Sequence, residues 1–340
     1  MQFIITAEYA KTRLDVFLKE HFPDLSRARL QKLIKDGQVT INEEKVSVHH
    51  FLKEGDEVEA TVAPSVELLV TPNPEVRIVA HNAPSSSLSL RAEGQPPLNL
   101  RGGVTEVLHE EADFIVLNKP SGLVVHQGEG HKTPDTLANG LLARYPEIGK
   151  VGDDPIRPGI MHRLDGDVSG VIVIARTQDM FDHLKKQFKI HTIEKEYLAL
   201  VHGKVAAGHG IIDFAIARKG AKMIARPKGG EGKNAVTEYE VVKATAQQSN
   251  STAQNTTLLK ILTHTGRTHQ IRVHLFAIDH PIVGDRLYES KISKSSEIGK
   301  SSRLMLHARR LAFNDLKGER REFIVEAPEE FLSKSGKSSA

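Results

Sequence analysis

Val171-Ile172-Val173-Ile174-Ala175 is an unbroken apolar run dominated by β-branched residues, and it constrains the fold more than any other stretch of the chain. Neither alternation of such a strand offers a polar face, so it predicts a strand covered on both sides. The run is led in by Met161-His162-Arg163-Leu164-Asp165-Gly166-Asp167-Val168-Ser169-Gly170, a loop with two carboxylates and a basic pair. Charged residues are thereby pinned beside the core. An aspartate in that position is either neutralised by a partner or held for chemistry.

A chain of 340 residues has room for two domains, each with its own core. With 39% hydrophobic and 26% charged residues it is neither disordered nor fibrous. No apolar run reaches the roughly 18–20 residues of a membrane span, so no membrane partner is expected. Residues Met1 to Glu8 lack the basic and long apolar segments of a secretory signal, and zero cysteines exclude disulfides and thiolate chemistry. A cytoplasmic location and a monomer are the expectation. A net charge of +3 says little alone about nucleic acid.

Residues 12–62 read as a compact unit. Ser26 can cap a helix running to Asp36, with Leu30, Leu33 and Ile34 on one side and Arg27, Gln31, Lys32 and Lys35 on the other. Val39 to Asn42 and Glu57 to Val62 read as strands, with Lys53 to Asp56 as a turn. Charge pattern alone leaves open whether the polar side is a solvated face or a binding face. Residues 63–105, rich in Pro, Ser and Gly, read as a linker or insertion, although Val76 to Ala80 has strand character. Residues 106–330 alternate strands and helices, which argues an α+β domain. Within it Phe114 to Asn118 is a strand ending in the turn Lys119-Pro120-Ser121-Gly122. Thr177 can cap a helix that turns Met180, Phe181, Leu184 and Phe188 inward. Glu289 to Ser302 reads as a loop, and residues 331–340 as a disordered tail.

Several chemistries fail on spacing. Gly166-Asp167-Val168-Ser169-Gly170 misses the serine-hydrolase elbow by one residue, and no Walker A pattern occurs. His264, His269 and His274 recur every five residues, which puts no two successive members on one face of a helix or strand, so no metal site is expected. A glycosidase pair of Asp165 with Asp167 lacks the separation across a sugar, and the chain has no Trp. The residues alone leave Asp165 either catalytic or a structural cap.

The box around Asp165 resembles the His-Arg-Leu-Asp signature of RluA-type pseudouridine synthases. Glu194-Lys195-Glu196-Tyr197-Leu198-Ala199 is similar to the second motif of that family, and Thr265-Gly266-Arg267-Thr268-His269-Gln270-Ile271-Arg272 to the third. Arg157-Pro158-Gly159-Ile160, His280-Pro281-Ile282-Val283-Gly284-Asp285 and Arg303-Leu304-Met305-Leu306 fit as well. The N-terminal unit resembles the small RNA-binding domain named after ribosomal protein S-four, in Arg13-Leu14-Asp15-Val16-Phe17-Leu18, Ser26 to Ile34 and Gly37 to Asn42. These resemblances imply an α+β catalytic domain on a central mixed or antiparallel sheet, preceded by a small α/β RNA-binding domain. They imply uridine isomerisation in RNA, with large-subunit ribosomal RNA as the substrate. Asp165, Tyr197 and Arg272 would be catalytic, with Leu306 lining the base pocket and Arg163 on the substrate side, filling the gap that the base leaves in its stack. Arg13, Ser26, Arg27, Gln31, Lys32 and Lys35 would contact RNA. No cofactor is implied, because the reaction oxidises nothing and releases nothing. The competing expectation is a non-catalytic RNA-binding or ribosome-assembly factor on the same scaffold.

Overall fold

The computed structural model describes residues 1–22, 27–61, 70–80, 104–128, 131–220, 222–245, 255–295, 301 and 303–334. The first unit contains β1 (Gln2–Ile4), α1 (Leu14–His21), α2 (Arg27–Lys35), β2 (Val39–Ile41), β3 (Glu44–Lys45) and β4 (Glu57–Ala60). Its strands form an antiparallel sheet in the order β1-β4-β2-β3. Leu30, Leu33 and Ile34 of α2 are buried with Leu14, Phe17 and Leu18 of α1 and with Val39, Ile41 and Val58 of the sheet, as the helical spacing predicts. This core is separate from the rest of the chain.

The larger unit follows with β5 (Ile78–Ala80), β6 (Thr105–Glu110), β7 (Phe114–Lys119), α3 (Leu137–Arg144), β8 (Ser169–Ala175), α4 (Gln178–Lys189) and β9 (Glu194–His202). It continues through β10 (His209–Lys219), β11 (Lys222–Arg226), β12 (Lys233–Thr245), β13 (Thr256–Thr263), α5 (Gln270–Ala277), α6 (Lys291–Ser295), β14 (Leu306–Asn314), β15 (Arg320–Ile324) and α7 (Glu329–Lys334). Among the described residues the strands join one sheet in the order β11-β10-β12-β13-β9-β14-β8-β7-β6-β5, with β15 beside β14. Most pairings are antiparallel; β14–β8 and β5–β6 are parallel, so the sheet is mixed and the fold α+β. Every residue of β8 is buried, which is the burial its β-branched run demands. Helix α4 covers it, with the Thr177 hydroxyl accepting from the Met180 amide at 3.3 Å and Met180, Phe181 and Leu184 buried. No helix among the described residues is long and apolar enough to cross a membrane.

Three expectations need correction. Part of the stretch read as a linker belongs to the core of the larger unit: Val70 and Ile78 are buried, β5 pairs with β6, and the Asn139 amide donates to the Thr71 carbonyl at 2.7 Å. Proline frequency hid this, because two apolar side chains and one short strand are enough to tie such a segment down. Residues 331–334, read as part of a tail, belong to α7. Phe331 is completely buried in α7, with the Arg303 guanidinium 5.5 Å from its ring centre. Within the stretch read as a loop after Glu289, Lys291–Ser295 is the short helix α6.

Candidate active site

Asp165 sits on the loop that feeds β8, at the edge where β8 meets β14. Its position is built from below. Lys119, at the end of β7, is fully buried and donates from Nζ to the carbonyls of Pro120, Leu123 and Gly166 at 2.8, 2.7 and 2.9 Å. The Ser121 hydroxyl donates to the Asp167 carbonyl at 2.6 Å. Burial pushes the Lys119 amine down to about 7, against the pull of the Asp165 and Asp167 charges. On the other side the Val173 amide donates to His162 Nε2 at 3.1 Å, and the His162 ring stacks on Phe188. Burial, helped by the nearby Lys195 charge, pushes His162 down to about 3, so it is a neutral acceptor. Gly170 closes the loop at φ +117°, where a Cβ would collide with the Ala308 carbonyl. Only glycine lets β8 approach β14 there.

The arginine of the third motif arrives on α5, 107 residues away in sequence. The Arg272 Nη1 donates to Asp165 Oδ2 at 3.4 Å. Its strongest bonds go elsewhere. Nε and Nη2 donate to the two oxygens of Asp285, both at 2.8 Å, in a planar bidentate pair. The Asp285 carboxylate is fully buried and also accepts the amides of Leu287 and Tyr288 at 2.9 and 3.0 Å. Burial disfavours both charges. Arg272 and the two amides nevertheless leave Asp285 below the ordinary aspartate range, and Asp285 with Asp165 leaves Arg272 raised. Gly284, at φ +78° with the Arg303 carbonyl behind it, turns the chain so that Asp285 points inward.

His269 completes the anionic corner. It caps α5 in the left-handed region at φ 54°, a conformation that costs energy for a side chain other than glycine and clusters at functional sites. Its Nε2 lies 3.9 Å from Asp165 Oδ2, and its Nδ1 shares a hydrogen bond with the Tyr288 hydroxyl at 3.0 Å. Burial holds this imidazole below its usual value despite the Asp165 charge. Gln270 fixes the preceding loop by accepting from the Arg267 amide and the Thr265 hydroxyl while donating to the Val236 carbonyl. The other members of the histidine series point elsewhere: His264 pairs with Glu238, and His274 bonds Thr237 and the Phe214 carbonyl.

Asp165 opens into a cavity of about 600 Å³ whose lining includes Tyr197, Lys195, Leu306 and Arg272. Tyr197 projects from β9 opposite Ala308, and Leu306 pairs with Ala199 one pleat away. Burial and then the Asp165 charge push the Tyr197 phenol up to about 12, so at neutral pH it is a protonated, flat surface. Arg163 is exposed and borders both this cavity and a second one of about 380 Å³ that also reaches Asp165. Asp165, Tyr197, Arg272, Arg163 and Leu306 are therefore brought together around one space.

The RNA-contact candidates divide. Lys35 is exposed on α2. Arg13 and Gln31 instead hold the fully buried Asp15: Arg13 donates twice at 3.0 Å and the Gln31 amide once at 2.9 Å. Ser26 and the side chains of Arg27 and Lys32 lie outside the described residues. Asp285, His269 and Lys119 were missed in the sequence. The available signal was weak: a lysine ending a buried strand needs a partner, and an aspartate after glycine marks a turn.

Residues 113–277 match the family model for RNA pseudouridylate synthase, and residues 12–58 that of the S4 domain. An uncharacterized RNA pseudouridine synthase of Aquifex aeolicus is 37% identical over 98% of this chain and 95% of its own length. Ribosomal large subunit pseudouridine synthase D of Yersinia pestis is 36% identical over 81% of this chain and 72% of that protein. Among solved structures, human RNA Pseudouridylate Synthase Domain Containing 1 superposes with a TM-score of 0.53 at 25% identity, covering 71% of this chain and 90% of that one.

Proposed function

Because the chain belongs to the RNA pseudouridine synthase family, isomerases that convert uridine to pseudouridine in RNA, we propose that its substrate is large-subunit ribosomal RNA and that Asp165 is its catalytic carboxylate. The observation that carries the assignment is the Asp165 carboxylate, 3.4 Å from Arg272 and open to a cavity lined by Tyr197 and Leu306. The names of similar proteins from Yersinia pestis and Vibrio parahaemolyticus support the choice of ribosomal RNA. Such a substrate puts the enzyme in the cytoplasm. Asp165, Tyr197, Arg272, Arg163 and Leu306 line one cavity within a single chain, an arrangement that a monomer can use without a second copy.

The reaction breaks the bond from ribose C1′ to the ring nitrogen N1, turns the ring, and joins C1′ to C5. The C5 proton leaves and N1 gains one, so atoms balance without an oxidant or a cofactor. Asp165 is suited to act as nucleophile and base, since an ionised carboxylate does both. Arg272, held by Asp285, stays charged beside it and fixes its direction. Tyr197 offers the extruded uracil a flat face and Leu306 an apolar wall. Arg163 is suited to fill the gap that the base leaves in its stack. Extrusion costs a few kcal/mol, least for unpaired nucleotides. Residues 12–62 act as an RNA grip joined to the catalytic domain 106–330, to which residues 70–80 add.

Mapping pseudouridine in ribosomal RNA from cells with and without this protein tests the assignment: one or more large-subunit positions should lose the modification. An unchanged map would overturn the choice of substrate. The grip has its own test. Reversing charge at Arg27 and Lys35 in the full-length protein should weaken binding to ribosomal RNA. The slope of log affinity against log salt should flatten by roughly 1–2 units, as two phosphate contacts release fewer counterions. An unaltered slope would remove α2 from the RNA surface.

A further inference from the structure

Lys195 stands two residues before Tyr197 on β9, so their side chains share one face of the strand, and both line the larger cavity. The pairing with β14 sets Lys195 beyond Tyr197 as seen from Leu306: Leu306 faces Ala199, Ala308 faces Tyr197 and Leu311 faces Lys195. The flanking acids are committed elsewhere, Glu194 to Arg310 and Arg320, and Glu196 to Arg309. Among the described residues no carboxylate reaches the Lys195 amine. Its one hydrogen bond is a long one, 3.3 Å from Nζ to the Thr265 carbonyl. Gly266 lies beside it, and the position a Cβ would take there is 3.8 Å from Nζ, an ordinary contact distance. Burial pushes the amine down to about 8, which still leaves it mostly charged at neutral pH. A largely buried cation with one weak partner, facing a cavity, lacks an acceptor.

We propose that Lys195 Nζ and the Thr265 carbonyl oxygen together read the edge of the uracil ring, the ammonium donating to a ring carbonyl and the backbone oxygen accepting from N3–H. This rests on the assignment of the cavity to a uridine. A neighbouring donor and acceptor match the alternating carbonyl and N–H of uracil. Cytosine meets the same pair badly: its N3 is an acceptor facing the Thr265 acceptor, and where the ammonium faces position 4 the amino group there is a donor facing a donor. Rejection of this kind is strong, since it leaves polar groups unpaired in a closed site. The ammonium has a second effect. When C1′–N1 breaks, the electron pair passes to the ring and spreads onto its carbonyl oxygens. A fixed cation at one of them stabilises that charge as it forms.

The test uses the full-length enzyme and a synthetic RNA hairpin around the mapped uridine, with oxygen replaced by sulfur at C2 or at C4. Sulfur is a poor acceptor, so the parent should slow on the hairpin thiolated at the carbonyl that Lys195 contacts. Lys195→Met should lower kcat about 100-fold with RNA affinity unchanged. It should show no further loss on that same thiolated hairpin, and Lys195→Arg should recover part of the rate. Should Lys195→Met fail to fold, the same sulfur comparison on Lys195→Arg decides, since a shifted donor weakens the coupling. Wild-type turnover by Lys195→Met, or equal slowing of parent and variant by sulfur at both positions, would overturn the proposal. Absence of pseudouridine from the parent on every RNA would overturn the underlying assignment as well.

Discussion

Asp165→Asn should abolish pseudouridine formation, by on the order of 10⁴-fold or more, as expected when the group that makes the covalent or proton-transfer step is lost. RNA affinity should stay within about threefold of the parent, because phosphate contacts on other surfaces dominate it. The fold should tolerate the change. Asp165 is 18% exposed, and Arg272 keeps both of its 2.8 Å bonds to Asp285 when the Asp165 charge is removed. Neutralising this carboxylate therefore leaves no buried cation unpaired, which separates a chemical defect from a structural one. The measurement is single-turnover pseudouridine formation alongside equilibrium binding. Undiminished turnover would take Asp165 out of the mechanism and favour the non-catalytic binding factor.

Asp285→Ala should behave in the opposite way, costing stability first. It removes both strong bonds of Arg272 and strands a guanidinium that is only 7% exposed. Breaking a buried pair by deleting one partner costs about 3–5 kcal/mol, much of it the burden of the charge left behind. The effect should depend on pH with a definite sign. The Asp285 carboxyl lies below its ordinary value in the folded protein, so its contribution is present above the unfolded value and is lost as pH falls through the folded one. The stability gap between parent and variant should therefore be widest at neutral pH and narrow below about pH 4. Denaturant unfolding across pH checks this. A gap under about 1 kcal/mol at pH 7 would show that the pair is not holding the site together. Activity should fall as well, since Arg272 is then free to rotate away from Asp165, and Asp285→Asn should recover some stability through its remaining acceptor.

Asp165 and Asp285 thus divide one arginine between a carboxylate that faces the cavity and one that is buried. The carboxylate that faces the cavity has the weaker contact at 3.4 Å, and the buried one has the stronger pair at 2.8 Å. Such a division suits a catalytic group, which has to exchange partners during turnover while its neighbour stays still. His269, 3.9 Å from Asp165 and held by Tyr288, belongs to the same support.

Sequence by itself determined the elements whose pattern is local. The run from Val171 to Ala175 has no polar alternation, so it had to become a fully covered strand, and β8 is one. The spacing of Met180, Phe181 and Leu184 after Thr177 specified the inward face of α4, and that of Leu30, Leu33 and Ile34 the inward face of α2. The resemblance of its motifs to those of RluA-type synthases is likewise legible in the sequence and implies Asp165, Tyr197 and Arg272 as site residues. Only the tertiary structure decided what those side chains touch. Arg272 meets Asp165 across 107 positions, and a turn 13 residues downstream supplies its principal partner, Asp285. Lys119 is bound by three carbonyls, one of them 47 residues away, and no local window contains that one. Residues 70–80 and Phe331 are short apolar patches in polar surroundings, too brief to show a period, and they are ordered only because the finished sheet offers them a surface to cover. Arg13 and Gln31 carry RNA-contact chemistry by type, yet a buried Asp15 claims both. Periodicity reports which face of an element is buried, because burial repeats with the backbone. Pairing between distant side chains has no period, so it becomes visible only when the chain has closed on itself.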